Sequence, residues 1–123
     1  MTRRILVGGI MLLALVSAGA LVRAHAALQK TEPAANATVT KAPTSVQLWF
    51  SEAPDLKVTK VDLTGPAGKV ELGPAHSMGK GNVMAPIVGK IADGKHTVNW
   101  QTAGDDGHVE KGSFAFTVSI KAE

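Results

Sequence analysis

The chain has 123 residues, a formal charge of +3 and no cysteine. That length suits one domain, and the lack of cysteine excludes a disulfide scaffold and any thiolate metal site; a bound metal would have to use His, Met, carboxylate or backbone donors. All three arginines lie at positions 3, 4 and 23, and the rest of the chain balances ten lysines against ten acidic residues, so a nucleic-acid binder, which needs a basic face, loses its support.

The first predicted element is MTRRILVGGIMLLALVSAGALVRAHA. Arg3 and Arg4 form a basic start, Ile5 to Val22 is apolar or small throughout, and small residues follow where a signal peptidase cuts. This predicts a cleaved signal peptide over 1–24, an exported periplasmic protein and a mature domain over 25–123. An uncleaved anchor is the rival, since 18 apolar residues just suffice to span a bilayer; the Gly, Ser and Ala content near the cleavage region argues for removal. Two cuts fit. One follows Ala24 and leaves His25 as the new N-terminus. The other follows Ala26, matches the small-x-small pattern slightly better, and discards His25.

Downstream, helical spacing is absent and period-two runs take over. TEPAANATVTKAPTS, with Pro33 and Pro43, predicts a loop containing a short strand. SVQLWF sets Val46, Leu48 and Phe50 on one face, with Trp49 turned to the opposite face or a partner surface. VTKVDL pairs Val61 with Leu63, followed by the turn GPAG and the strand KVEL. NVMAPIV carries Pro86, which predicts an edge or a bulge. ADGK has the composition of a hairpin turn. HTVNW puts His96, Val98 and Trp100 on one face, and GSFAFTVSI does the same for Phe114, Phe116, Val118 and Ile120. On this parity His96 is a half-buried packing residue and Trp100, Phe114 and Phe116 anchor the core. Six or seven short strands joined by turns predict an all-β antiparallel sandwich or barrel of Ig-like size.

TAGDDGHVEKG lies between the last two predicted strands. Asp106 and His108 are two apart, and in extended chain such side chains point the same way with Cα atoms about 7 Å apart, close enough to converge on one ion. Asp105 would point to the other side. Taken alone the pair is ordinary turn chemistry. His25 adds to it, because a histidine at a free N-terminus chelates through both its α-amine and its ring. Amine, two imidazoles and one carboxylate give an N₃O set, which suits tetragonal Cu(II). These nitrogens must be unprotonated, with reference pKa values of about 7.7–8.0 for an α-amine and about 6.5 for imidazole, so binding should weaken as pH falls.

The runs HAALQKTEPA, APTSVQLWFSE, DGKHTVNW and DGHVEKGSFAFTV together resemble the CopC-type periplasmic copper-binding proteins of copper resistance, over essentially all of 25–120. The resemblance implies a Greek-key β-barrel of Ig-like topology and a Cu(II) site at His25, Asp106 and His108, and it favours the cut before His25. It also implies a monomeric, non-enzymatic carrier that buffers Cu(II) or passes it to a CopD-like inner-membrane transporter. Val109 stands where the family usually has Pro, His96 where it has Tyr, and Asp105 where it has Ser or Ala; none of these removes a ligand. Some members bind Cu(I) through methionines, and GPAHSMGKGNVMAP offers His76, Met78 and Met84 as soft or borderline donors, with gap filling as the plainer role for Met84. Glu52 and Glu110 are expected in solvent, with Glu110 a candidate acceptor for His108.

Two other functions compete. A copper oxygenase could build a histidine brace on His25, but Asp106 would fill the position O₂ needs. A metal-free Ig-like structural module would account for the strands and leave His25 and the D-x-H pair as coincidence.

Overall fold

The computed structural model describes residues 26–104 and 107–120. The expected signal peptide over 1–24, His25, Asp105 and Asp106 lie outside the described residues. Among the described residues every regular element is a β-strand, and no helix is long and apolar enough to cross a membrane. The strands are β1 (Leu28–Glu32), β2 (Thr38–Val39), β3 (Ser45–Phe50), β4 (Lys60–Gly65), β5 (Gly68–Val70), β6 (Asn82–Pro86), β7 (Gly94–Ala103) and β8 (Val109–Val118). They form a sandwich of a three-stranded sheet, ordered β1-β3-β6, and a five-stranded sheet, ordered β2-β8-β7-β4-β5. The chain crosses between the sheets after β1, β2, β3, β5 and β6, as Greek-key sandwiches do.

Strict alternation builds the core. In β3, Val46, Leu48 and Phe50 are buried while Ser45, Gln47 and Trp49 are not. Across the long β7–β8 hairpin, His96 pairs with Phe116, Val98 with Phe114 and Trp100 with Gly112, and these rungs face inward. Gly112 is required at its position: a Cβ there would lie 2.5 Å from Cζ2 of Trp100, so the indole occupies the space a side chain would fill. Leu63 and Val70, paired across β4 and β5, close the same core. Trp49 takes the outer face as its parity requires, with the Lys30 ammonium 4.7 Å above its ring. Pro86 ends β6, an edge strand, where its missing N–H interrupts no ladder.

Three expectations change. The sandwich has eight strands among the described residues, and the two-residue β2 pairs parallel to β8, so the pairing is not wholly antiparallel. The Asp93-Gly94 step joins no hairpin; Gly94, at φ 124°, begins β7, and Asp93 Oδ1 accepts the Ile120 N–H at 2.7 Å. His96 is fully rather than half-buried, stacked on Phe116 with ring centroids 5.4 Å apart. Its Nδ1 lies 3.0 Å from the Gly94 carbonyl, which can only accept, so Nδ1 carries the hydrogen. Among the described residues Nε2 has no hydrogen-bond partner; it faces Gly65, where a Cβ would approach it to 2.8 Å. A ring so enclosed is a packing element and not an accessible ligand.

Candidate metal centre

The predicted Cu(II) ligands belong to two limbs, the N-terminal segment and the β7–β8 loop. The described chain starts at Ala26, which is 2% exposed and belongs to the core cluster. At Ala27 the N–H donates to Ser51 Oγ at 2.9 Å, and the Ser51 N–H donates back to the Ala27 carbonyl at 2.8 Å. One step on, Leu28 pairs with Phe50. The chain immediately after residue 25 is thus clamped to the end of β3.

The second limb meets the same place. Ala103 and Val109 form the last rung of the hairpin, so residues 104–108 make its loop. The Gly107 N–H donates to the Gly104 carbonyl at 3.1 Å, which draws the loop into a turn. Gly107 sits at φ 79°, a left-handed conformation that Gly adopts without steric cost. Gly104 is buried against Glu52: a Cβ on Gly104 would lie 3.1 Å from the carboxylate Oε1. The Asp55 N–H donates to the Ala103 carbonyl at 2.8 Å, and the hydroxyls of Thr59 and Thr102 are 2.8 Å apart. The segment after β3 therefore folds over the end of β7. Consecutive residues, Ser51 and Glu52, touch the two limbs in turn.

Of the three predicted Cu(II) ligands only His108 is described, and it is exposed beside the last rung. His25 and Asp106 adjoin described anchors at Ala26 and Gly107 but lie outside the described residues. Among the described residues no three His, Asp or Glu side chains gather as a metal-holding group. The donor chemistry fits a hard or borderline divalent ion: imidazole and carboxylates lie at this end of the molecule, with Glu52 and Asp55 in the covering segment and Glu110 at the start of β8.

Sequence reasoning passed over Ser51 and treated Glu52 as solvated, whereas Glu52 is half-buried on the loop backbone. The run FSE offered one signal, a polar pair directly after an inward-facing Phe50. Its contact partners, one near the N-terminus and one in the far hairpin, are not local.

The second candidate site is partly assembled. His76 and Met84 face each other across an antiparallel bridge, His76 N–H donating to the Met84 carbonyl at 2.9 Å and Met84 N–H to the His76 carbonyl at 2.7 Å. Directly opposed residues project from the same face. That face is the outer one, because Val83 and Ala85 turn inward. Met84 therefore does not fill a core gap. Met78 lies in the intervening turn, 65% exposed, with its N–H bound to Asn82 Oδ1 at 2.9 Å.

The family model of the CopC domain matches residues 28–119. Protein YobA of Escherichia coli strain K12 is 35% identical over 100 residues, covering 79% of this chain and 81% of its own length. Among solved structures, PcoC, a methionine-rich copper resistance protein from Escherichia coli, superposes with a TM-score of 0.72 at 27% identity, covering 78% of this chain and 100% of that one. CopC from Methylosinus trichosporium OB3b gives a TM-score of 0.70 at 22% identity over 77% of this chain and 94% of its own, a likeness of fold.

Proposed function

Because the chain belongs to the CopC family, we propose that it is exported to the periplasm, cut before His25, and works there as a copper-binding protein of copper resistance or homeostasis. Its site holds one Cu(II) through the α-amine and imidazole of His25, the Asp106 carboxylate and the His108 imidazole. The observation that carries this reading is the shared clamp. Ala27 is bonded to Ser51 and Gly104 packs on Glu52, so the segment leading from residue 25 and the loop containing 106 and 108 run to the same end of the sandwich. Donors carried by two segments that are anchored at one end of the sandwich would act at high effective concentration, and the second segment would then bind at little further entropic cost.

Copper here is cargo. An N₃O set with a charged oxygen fills the tetragonal positions Cu(II) prefers, and this favours holding the ion over activating O₂. A carrier that buffers Cu(II), or hands it as a monomer to a CopD-like membrane transporter, follows more naturally than an oxygenase or a metal-free Ig-like module. The copper resistance role of PcoC supports this direction.

The test combines intact mass with copper titration against a chromogenic chelator. The secreted protein should begin at His25 and bind one Cu(II). His25→Ala, or one residue added before His25, should lower affinity by at least about a hundredfold, since loss of an outer-shell partner alone costs 10–100-fold. A mature mass starting at Ala27, or unaltered affinity in the extended protein, rejects the site.

A second reading concerns Cu(I), and the cross-strand pairing of His76 with Met84 favours it. We propose that these two, with Met78, take Cu(I) through thioether and imidazole donors. Outside the leader the chain has only these two methionines, so the site is sparser than a methionine-rich one. Titration under reducing conditions should show weaker Cu(I) binding in the Met78→Ala, Met84→Ala protein; equal binding ends the idea.

A further inference from the structure

We infer that Ser51 is a positioning residue for copper capture, its hydroxyl holding the N-terminal limb in register with the β7–β8 loop. The inference rests on the Cu(II) reading above and assigns the element that pre-organises it. An N-terminal chelate needs a free terminus, and a free terminus is the part of a chain most prone to fray. Fraying would cost affinity each time the limb had to be recaptured from solution.

Among the described residues three contacts oppose fraying, and they differ in kind. Burial of the Ala26 methyl is apolar and non-directional. The bond from Ser51 N–H to the Ala27 carbonyl uses backbone alone and survives any side-chain change. The bond from the Ala27 N–H to Ser51 Oγ, at 2.9 Å, is a directional restraint on this limb that a side chain supplies. It is also the outer of the two hydrogen bonds met on leaving the ladder toward residue 25, since β1 begins only at Leu28, and beyond it only the apolar contact of Ala26 remains among these three. Without it the Ala27 amide, exposed at the sheet's end, turns to water, and the peptide planes ahead of it gain freedom. Ser51 is joined directly to Glu52, whose carboxylate lies on Gly104. A restraint at Ser51 therefore fixes the N-terminal limb relative to the loop and not merely to the sheet.

The experiment is a double-mutant cycle on the mature protein, read as Cu(II) affinity by chelator competition, with thermal unfolding of each metal-free variant alongside. Ser51→Ala should lower Cu(II) affinity about three- to tenfold, the size of one net hydrogen bond. Ser51→Thr, which keeps the hydroxyl, should restore most of it. In a His25→Ala background Ser51→Ala should add no further loss, because a residue acting through the N-terminal limb has nothing left to position. A purely structural role would instead lower affinity in both backgrounds and follow the unfolding midpoint. Wild-type affinity in Ser51→Ala, or an equal loss in both backgrounds, overturns the inference and leaves the Cu(II) site standing. If His25→Ala itself binds Cu(II) as tightly as wild type, the site falls and the positioning role falls with it.

Discussion

Gly112 and Trp100 illustrate how closely single positions are packed beneath the Ser51 clamp. The indole lies over Gly112, with its Nε1 3.1 Å from where a Cβ would stand, and it meets Phe50 edge-on with centroids 5.2 Å apart. Phe50 immediately precedes Ser51, so the packed indole lies one residue from the clamp. Gly112→Ala should cost about 1–3 kcal/mol as an overpacked site, read as a lower urea midpoint at unchanged slope. The atoms such a Cβ would meet are ring atoms of Trp100 and not the mobile end of a flexible side chain, so little relief is available. A midpoint equal to that of the wild type would show that the ring has room to move.

At the scale of elements, the β7–β8 hairpin both closes the five-stranded sheet and presents the loop. Its ten paired rungs end at Ala103 and Val109, and the step back into β8 passes through Gly107 at φ 79° with nothing within 4 Å of a Cβ placed there. The open space separates two effects that usually come together: a substitution at Gly107 meets backbone strain but no clash. Gly107→Val, a β-branched residue in left-handed backbone, should therefore cost about 1–3 kcal/mol, whereas Gly107→Asn should be tolerated far better. The strain is relieved by rotating the loop, so His108 turns away and Cu(II) affinity falls more in the Val protein than in the Asn protein. Equal affinities in the two, by the same chelator competition, would argue that the loop backbone does not set the direction of His108.

For the molecule as a whole, the core between the two sheets has no cross-link to help it. A domain of this size is stabilised by only about 5–15 kcal/mol, so a ligand that bridges two limbs adds a substantial fraction. At free Cu(II) one hundred times the Kd, mass action contributes about 2.7 kcal/mol, enough to raise the unfolding midpoint by roughly ten to twenty degrees in a domain this small. Wild-type protein should show that shift between chelator and copper, and the His25→Ala protein should show little of it at the same copper concentration. Equal shifts in both would place the stabilising copper elsewhere in the chain.

The strands were legible because alternation is a local property. In SVQLWF each side chain's face follows from its neighbours, and the burial of Val46, Leu48 and Phe50 is the direct consequence. The same holds for the Phe114, Phe116 and Val118 face of β8, and the turn at Pro66-Ala67 followed from its composition. Tertiary structure decided the rest. The parallel pairing of the two-residue β2 with β8 has no periodicity to announce it. Asp93 bonds the Ile120 amide instead of turning a hairpin, and the depth of His96 depends on Gly65 and Phe116, residues of two other strands. The joining of Ala27, Ser51, Glu52 and Gly104 depends on which strand ends share a pole of the sandwich. Sequence alone thus set the sheet faces, because alternation resides in neighbouring residues; only the folded chain decided that Ala27, Ser51, Glu52 and Gly104 meet, because that depends on strand order and sheet packing.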